Sequence, residues 1–394
     1  MKKKLGCLIL MALCLACPAL AKGEEPMESG VPISLSSPSA ILTEASTGRV
    51  IFEKNADERR PVASVTKVMT ILLTLEAIDE GTLGKNDKVM VSPRAQSMGG
   101  SQAYLDAGSA YTVGDLLKSV IVASANDSAV ALAEHIAGAE EAFVGRMNER
   151  AGELGLTNTH YVNCTGLPAQ GHYMSARDVA KLSAELDRHP LYYEYSTVWM
   201  DEIGHKGGRK TQLTNTNRLV RFYAGCDGYK TGSTNEARYC MSATAKKDGM
   251  RLIAVVLGAN AGQTRFDEAR AMLEYGFAGY KLFAPVAPGD ALGMDITVRL
   301  GARDQVGAVS GGGVNLVLRK GEEKNVTLEA ALVTSIAAPV KKGDMLGEIR
   351  VKQGDTVVAI VPAVAGESVE LPGIIASLLR IRDGFMIRTL NTSK

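Results

Sequence analysis

The sequence predicts an α/β (α+β) domain followed by a small all-β domain. First, strand-like alternation of apolar and polar residues frames a long region of helical periodicity between residues 40 and 258. Second, short Val/Ile/Leu-rich runs separated by glycine turns replace the helical periodicity after about residue 283. Third, a chain of 394 residues, 46% hydrophobic and 22% charged, is long enough for two ordinary globular domains.

The charge balance excludes two broad classes of protein. The formal net charge is +1, so the chain lacks the basic excess expected of a nucleic-acid-binding protein. The mean hydropathy of +0.02 is too low for a protein with many membrane spans. We therefore expect no nucleic-acid partner.

The N-terminus has the features of a secretory signal peptide. Lys2, Lys3 and Lys4 precede a short apolar run, and Ala19-Leu20-Ala21 forms a small-x-small cleavage site. The apolar run is too short for a membrane span. We therefore expect residues 1–21 to be removed on export, which places the mature chain in a periplasmic or extracellular compartment. Residues 22–33 are polar, contain Pro and Gly, and are predicted to be a linker.

The exported chain would retain three cysteines, Cys164, Cys226 and Cys240. Export permits disulfides, but the number is odd and the spacing matches no zinc site. A hairpin turning at residue 235 would place Cys240 opposite Lys230, away from Cys226. We therefore expect buried or free thiols.

The first domain is predicted over residues 34–283. Alternation around a central Ser-Thr-Gly in residues 40–58 predicts a hairpin, and residues 239–258 predict two strands joined by a Lys-Asp-Gly turn. Helical periodicity predicts a helix that starts near Ser64, two helices in 115–137 broken at Ser124–Asp127, and helices over 139–154, 176–187 (with Ser175 as N-cap) and 266–280.

The second domain is predicted over residues 284–370, beginning with a linker-like Pro/Gly stretch, PVAPGDALG. It contains no cluster of His, Cys or acidic residues that suggests chemistry. Residues 371–394 form a tail in which Ile374, Leu378 and Ile381 recur at helical spacing among arginines. This pattern favours a helix in the membrane interface, and a helix packed on the β-domain is the alternative.

Three short motifs carry the chemistry. They are Ser64-Val-Thr-Lys67, Ser124-Ala-Asn126 and Lys230-Thr231-Gly232, in that order. On a helix, a serine and a lysine three residues apart share one face, where the amine can act as base for the hydroxyl. Each motif alone is weak evidence, but the ordered trio is typical of penicillin-binding proteins and class A β-lactamases.

Longer stretches extend the match. RRPVASVTKVMT, THYVNCTGLP, GCDGYKTGST and MRLIAVVLGAN resemble the low-molecular-mass penicillin-binding proteins, the serine D-alanyl-D-alanine carboxypeptidases, over residues 34–283. The β-rich region and the tail resemble that family more loosely. The resemblance implies a transpeptidase/β-lactamase-like domain. Its antiparallel sheet would have helices on both faces and Lys230 on an edge-side strand, with an all-helical part holding Ser64 and Ser124.

The resemblance also implies a reaction. Such an enzyme removes the terminal D-alanine from peptidoglycan stem peptides through an acyl-enzyme on Ser64, is inhibited by β-lactams, serves cell wall biogenesis, and needs no metal or organic cofactor. Lys67 takes the serine proton only when neutral, and burial or a second cation lowers a lysine pKa. Lys230 is the expected second cation.

The remaining roles are implied by the same resemblance. Ser124 and Lys230 relay a proton to the leaving amine. Asn126 hydrogen-bonds the substrate amide, although a helix cap is the alternative. The predicted substrate-binding residues are Thr231 and Arg265 for the terminal carboxylate, Gly232 for close approach of the substrate backbone, and the Ser233 backbone N–H as second oxyanion donor.

Several alternatives accompany this interpretation. Arg251 is the rival to Arg265 as the carboxylate-binding arginine, while Asp178 and Asp227 are expected to be structural. A class A β-lactamase would carry an E-x-x-x-N run, which is missing between residues 127 and 229. The intact trio argues against a silent penicillin sensor. An endopeptidase acting on cross-links would use the same residues, and the sequence leaves it open.

Overall fold

The computed structural model describes residues 33–375. Their strands are β1 (Ser39–Glu44), β2 (Val50–Lys54), β3 (Lys88–Met90), β4 (Ala110–Thr112), β5 (Met200–Gly204), β6 (Lys210–Thr214), β7 (Cys226–Thr234), β8 (Arg238–Lys247), β9 (Met250–Ala259), β10 (Tyr280–Val286), β11 (Ala291–Arg299), β12 (Gln305–Ser310), β13 (Val314–Arg319), β14 (Val326–Leu332), β15 (Ser335–Ala337), β16 (Met345–Gln353) and β17 (Thr356–Ala365). Their α-helices are α1 (Lys67–Asp79), α2 (Pro93–Gln96), α3 (Val113–Val122), α4 (Asn126–Ala137), α5 (Glu140–Glu153), α6 (Ala176–Leu186), α7 (Leu191–Ser196), α8 (Leu219–Phe222) and α9 (Gly262–Gly279).

A five-stranded antiparallel sheet of order β2-β1-β9-β8-β7 organises the first part of the chain. Its central strand β9 is apolar on both faces because both are covered. Ile253 and Val255 belong to the core that includes α1 and α4, whereas Leu252 and Ala254 belong to the core that includes α9. The predicted fold class is confirmed, and β7, which carries the third motif, lies at the sheet edge as expected.

The predicted helices are present, with differences at their ends. The break in 115–137 separates α3 from α4, and the Ser175 side chain caps α6 by accepting from the Asp178 N–H. Helix α9 begins at Gly262, four residues earlier than residue 266. Its first turn is Gly-Gln-Thr-Arg, which is polar and gives no apolar periodicity to detect. The hairpin β5–β6 was not predicted.

The C-terminal part is all β. A six-stranded sheet of order β14-β16-β17-β12-β11-β15 is accompanied by the pair β10–β13, and small apolar cores support them. The stretch expected to be a linker is instead the end of β10, a short turn and the start of β11. Pro285 fits in β10 because the β10–β13 register is irregular between Phe283 and Val286, where no ladder donor is needed.

The three cysteines of the described residues are buried and free, as expected. The β7–β8 register differs from the prediction by two residues, since Thr234 pairs with Arg238 and the turn therefore centres on residue 236. Cys240 consequently lies opposite Gly232, and Ser242 lies opposite Lys230.

Some expectations fall outside residues 33–375. The signal peptide (1–21), nearly all of the linker (22–33) and most of the tail (371–394) lie there. Among the residues that are described, no helix is both long and apolar enough to cross a membrane.

Candidate active site

Ser64 and Lys67 meet at the start of a helix. A 3₁₀ turn, Ala63–Thr66, leads directly into α1, so that Lys67 Nζ lies 2.9 Å from Ser64 Oγ. Lys67 is fully buried and also donates to the Thr165 carbonyl at 2.7 Å. Burial lowers the pKa of Lys67 to about 7, although the nearby Cys164 and Asp127 act to raise it. This amine is therefore available as a base near neutral pH.

Burial is the main cause of the low pKa of Lys67. The pKa of Lys230 also lies well below its usual value, because of burial, then repulsion from Lys67, then repulsion from Arg265. Repulsion between two ammonium groups is mutual, so the role of Lys230 as a second cation for Lys67 stays a prediction.

The second and third motifs meet across the cleft. Lys230 Nζ donates to Ser124 Oγ at 2.7 Å and to the Thr231 carbonyl at 3.1 Å. Ser124 has a φ of 63° and Ala63, which precedes the first serine, has a φ of 49°. A left-handed conformation at a residue other than glycine costs about 1–3 kcal/mol and is common at functional sites. Both serines are therefore presented from strained backbone.

Asn126 does not cap a helix. It is the first residue of α4, and Ala125 occupies the cap position. Its amide nitrogen donates to the Gly99 carbonyl at 2.6 Å, so its oxygen must face the other way. That oxygen is buried and has no hydrogen-bond partner among the described residues. A buried, unpaired acceptor suits an incoming N–H donor, so the alternative role as a cap is wrong.

The structure gives a second reason for a glycine at position 232, beside the predicted approach of the substrate backbone. A Cβ atom built on it would lie 2.5 Å from the Val62 carbonyl oxygen and 2.9 Å from the Ser64 nitrogen. The edge strand β7 thus packs directly against the turn that carries Ser64. A side chain here would displace the nucleophile, whatever the substrate requires.

Arg265 lies beside the same strand. Its Nη1 donates to the carbonyls of Gly232 at 2.8 Å and Cys240 at 3.3 Å, and its Nε is buried without a partner among the described residues. Thr231 is buried on β7, while Ser233 is exposed. The geometry therefore places all four predicted substrate-binding residues on or beside one strand.

Arg251 is committed elsewhere. Its guanidinium forms ion pairs with Asp187 at 2.8 Å and Asp227 at 2.7 Å, and the side chain is 11% exposed. Asp178 accepts from the Asn158 N–H and the Thr159 hydroxyl. Because Arg251 is already paired, Arg265 is the better candidate for binding the substrate carboxylate. Asp178 and Asp227 are structural, as expected.

Sequence reasoning missed the loop 163–166, which supports Lys67. Asn163 accepts hydrogen bonds from the backbone N–H groups of Thr165 and Gly166, which orients the Thr165 carbonyl toward Lys67. A Cβ atom on Gly166 would lie 1.9 Å from the Ala63 carbonyl oxygen, so only glycine fits. The run Asn-Cys-Thr-Gly was visible in the sequence, but its contact with Lys67 was not.

The histidines play no part in this arrangement. The rings of four histidines form hydrogen bonds with groups other than the predicted site residues: His172 with Thr66, His189 with Asp79, His205 with Tyr111 and His160 with the Gly171 carbonyl. The fifth, His135, is exposed. Within residues 33–375 no group of three or more His, Cys, Asp or Glu side chains is arranged to hold a metal ion.

The fold and the site together define a class: a serine acyl-transfer enzyme of the penicillin-recognising kind, with its first motif where a 3₁₀ turn leads into α1 and its third motif on a sheet edge. The sequence profile of the D-alanyl-D-alanine carboxypeptidase family matches residues 25–261. That of the penicillin-binding protein 5 C-terminal domain matches residues 280–371. The chain therefore belongs to the D-alanyl-D-alanine carboxypeptidase family, and it is a serine peptidase of cell wall metabolism.

Curated relatives and solved structures agree. The chain is 39% identical over 383 residues to D-alanyl-D-alanine carboxypeptidase DacF of Bacillus subtilis, covering 96% of this chain and 98% of the relative. It is 30% identical to a D-alanyl-D-alanine endopeptidase of Pseudomonas aeruginosa, covering 73% and 93%. Penicillin-binding protein 5 from Haemophilus influenzae superposes with a TM-score of 0.74 at 28% identity, covering 87% and 100%.

A shorter structure matches only the first part. The Streptomyces K15 DD-transpeptidase superposes with a TM-score of 0.59 at 28% identity, and 63% of this chain covers all of that one. An enzyme of this fold thus exists without a counterpart of the C-terminal β region in the solved chain.

Proposed function

We propose that this enzyme removes the terminal D-alanine of peptidoglycan stem peptides with Ser64 as the nucleophile and Lys67 as its base. The observation that carries the proposal is the fully buried Lys67 amine, 2.9 Å from the Ser64 hydroxyl, with a pKa of about 7. A serine hydroxyl is a weak nucleophile and needs such a base at neutral pH. β-Lactams would acylate the same hydroxyl and inhibit the enzyme.

Acylation would proceed through a tetrahedral oxyanion. Neutral Lys67 takes the Ser64 proton as Oγ bonds to the carbonyl carbon of the penultimate D-alanine. The backbone N–H groups of Ser64 and Ser233 would stabilise the oxyanion. Support for this pairing comes from the close packing of Gly232 against Ser64, which brings the two backbones together.

The leaving D-alanine must be protonated on its amine. Ser124 Oγ lies 2.7 Å from Lys230 Nζ, and this pair would pass a proton to the departing nitrogen as the C–N bond breaks. Water then attacks the acyl-enzyme and gives one proton to the Ser124–Lys230 pair, which replaces the proton lost to D-alanine. As the bond between the acyl carbon and Ser64 Oγ breaks, Lys67 returns the proton that it took to Ser64. Asn126 would accept a hydrogen bond from the peptide N–H through its unpaired oxygen.

Recognition of the free carboxylate is what makes the activity that of a carboxypeptidase. Arg265 would supply the positive charge, and the Thr231 hydroxyl would donate beside it. Arg265 keeps its Nε unpaired, and its Nη1 is held by the backbone of Gly232, so it is fixed beside the third motif.

Export and membrane contact are part of the same proposal. Cleavage after Ala21 would release residues 22–394 to the outer face of the cytoplasmic membrane, where the substrate lies. The arginine-rich tail after residue 371 would hold the enzyme at the membrane surface. The apolar and cationic spacing of that segment supports this placement.

The test is release of free D-alanine from an acyl-Lys-D-Ala-D-Ala peptide by residues 22–394, beside Ser64→Ala. We expect release by the unmodified chain and none by the variant, because no other described side chain hydrogen-bonds to Lys67 as an alternative nucleophile. Equal release by both proteins would refute the assignment of Ser64.

Penicillin and peptide substrates also distinguish the proposed activity from two others, β-lactamase and endopeptidase. A β-lactamase deacylates rapidly, but no carboxylate among the described residues hydrogen-bonds to Ser64 or Lys67, so we expect a long-lived penicillin adduct by mass spectrometry. The likeness to the Pseudomonas endopeptidase makes a cross-linked dimer the second substrate to assay. If the enzyme cleaves the cross-linked dimer as fast as the acyl-Lys-D-Ala-D-Ala peptide, it is also an endopeptidase.

A further inference from the structure

Tyr104 is held in an unfavourable conformation beside the active site. Its φ is 56°, in the left-handed region, and its side chain is 60% exposed. A bulky residue rarely adopts this backbone conformation, and a large exposed aromatic ring gains little from folding. Neither feature helps the fold, so together they point toward a role in binding.

The loop around Tyr104 is firmly anchored. The backbone N–H groups of Ala103 and Leu105 each donate to the Asp127 carboxylate at 3.0 Å, and both side chains are buried. Arg209 donates to the Tyr104 carbonyl at 2.8 Å. Both neighbours of Tyr104 are thus fixed from inside, and its ring is the part of this segment that is directed to solvent.

The same loop borders the second motif. The Asn126 N–H donates to the Ser101 carbonyl at 2.7 Å, and the Asn126 side chain donates to the Gly99 carbonyl at 2.6 Å. Asp127, which anchors the segment around Tyr104, is the next residue of α4. Since Asn126 is proposed to bind the substrate amide, the loop flanks the acyl side of the cleft.

We propose that Tyr104 is a substrate-positioning residue that binds the side chain preceding D-Ala-D-Ala in the stem peptide. The chemistry that suits an exposed phenol ring here is a long aliphatic side chain ending in an ammonium group. Its methylenes pack on the ring and its charge lies over the ring face. This inference rests on the proposed function, because it takes the direction of the peptide from Asn126.

The test is competition for Ser64 between a fluorescent penicillin and two peptides, acetyl-Lys-D-Ala-D-Ala and acetyl-Ala-D-Ala-D-Ala. The variants are Tyr104→Phe and Tyr104→Asn, the latter because asparagine tolerates a positive φ and should fold at least as well. Competition measures binding and requires no release of D-alanine. Failure of the carboxypeptidase assay would therefore leave this comparison intact.

We expect Tyr104→Asn to weaken protection by the lysine peptide about 2- to 5-fold, the range of a surface cation–π contact. Protection by the alanine peptide and the rate of penicillin acylation should stay unchanged in both variants. Tyr104→Phe should behave as the unmodified protein, because the ring is retained. Unchanged protection in Tyr104→Asn, or equal loss for both peptides, would overturn the proposal, since equal loss means that the ring only shapes the loop.

Discussion

The burial of Lys67 lowers both the stability of the folded protein and the pKa of the amine. Its pKa falls from 10.5 to about 7 on burial, which corresponds to roughly 5 kcal/mol of lost stability below pH 7. The same shift would allow Lys67 to act as the base for Ser64 in the proposed mechanism. The strained φ at Ala63 and Ser124 adds to the cost.

The pH dependence of acylation follows from this shift. Lys67 must be neutral to act, and protonation below about pH 7 removes the base. We expect the rate of penicillin acylation to fall about tenfold per pH unit below 7 and to level off above it. Lys67→Arg, which stays charged, should lose at least about 100-fold at every pH. A flat profile between pH 5 and 7 would contradict the assignment.

Gly232 gives a second test at this scale. Gly232→Ala places a methyl group 2.5 Å from the Val62 carbonyl oxygen, so the turn carrying Ser64 must move. We expect penicillin acylation to fall more than about 100-fold and stability to drop by about 1–3 kcal/mol. Gly204→Ala is the matched control, because that strand glycine has open space around its Cβ position. Acylation by G232A at the normal rate would show that the packing is not needed.

The active site is assembled from elements that are far apart in the chain. The 3₁₀ turn before α1, the break between α3 and α4, the loop 163–166 and the edge strand β7 each contribute one part. The first three are ends, breaks or loops, where backbone groups and side chains remain free to bind a substrate. Lys230 instead lies in the middle of β7, whose position at the sheet edge leaves it without a partner strand on one side.

The start of α4 also organises the loop at its side, and this can be measured. Asp127→Asn keeps one acceptor oxygen but presents an NH₂ group to either the Ala103 or the Leu105 N–H. An unpaired buried donor costs about 1–3 kcal/mol, so we expect a lower Tm and faster hydrogen exchange at these two amides. Asp248→Asn, in the exposed β8–β9 turn, is the control. Unaltered exchange in D127N would rule out the anchoring role.

At the scale of the whole molecule, the chemistry is confined to the first part of the chain. The C-terminal strands form their own sheet and apolar cores, and the site residues all precede β10. The β10–β13 pair belongs with those strands. The boundary expected at residue 283 lies inside β10, and Tyr280 and Leu282 at the start of that strand pack against the core that includes α9.

A fragment of residues 33–279 tests this separation. We expect it to be acylated by penicillin within about twofold of the rate of residues 22–394, because every predicted site residue and its partners are retained. The solved K15 DD-transpeptidase chain supports this expectation, because 63% of the present chain is enough to cover all of it. A soluble, folded fragment, judged by circular dichroism, that fails to react would show that the β region shapes the site.

Local patterns in the sequence determined the fold class, the order of the main helices and strands, and the three motifs. They did so because periodicity and residue spacing act within a few residues.

Only the tertiary structure decided what depends on contacts across the chain. It showed that burial is the main cause of the low Lys67 pKa, that Asn126 does not cap α4, and that Gly232 packs against the turn that carries Ser64. It also showed that Arg251 is paired with two aspartates and so is not the carboxylate-binding arginine, and that the Thr165 carbonyl accepts a hydrogen bond from Lys67. Burial, close packing and hydrogen bonding join residues that are far apart in the chain, such as Ser124 and Lys230 at a separation of 106 positions, and no local pattern records them.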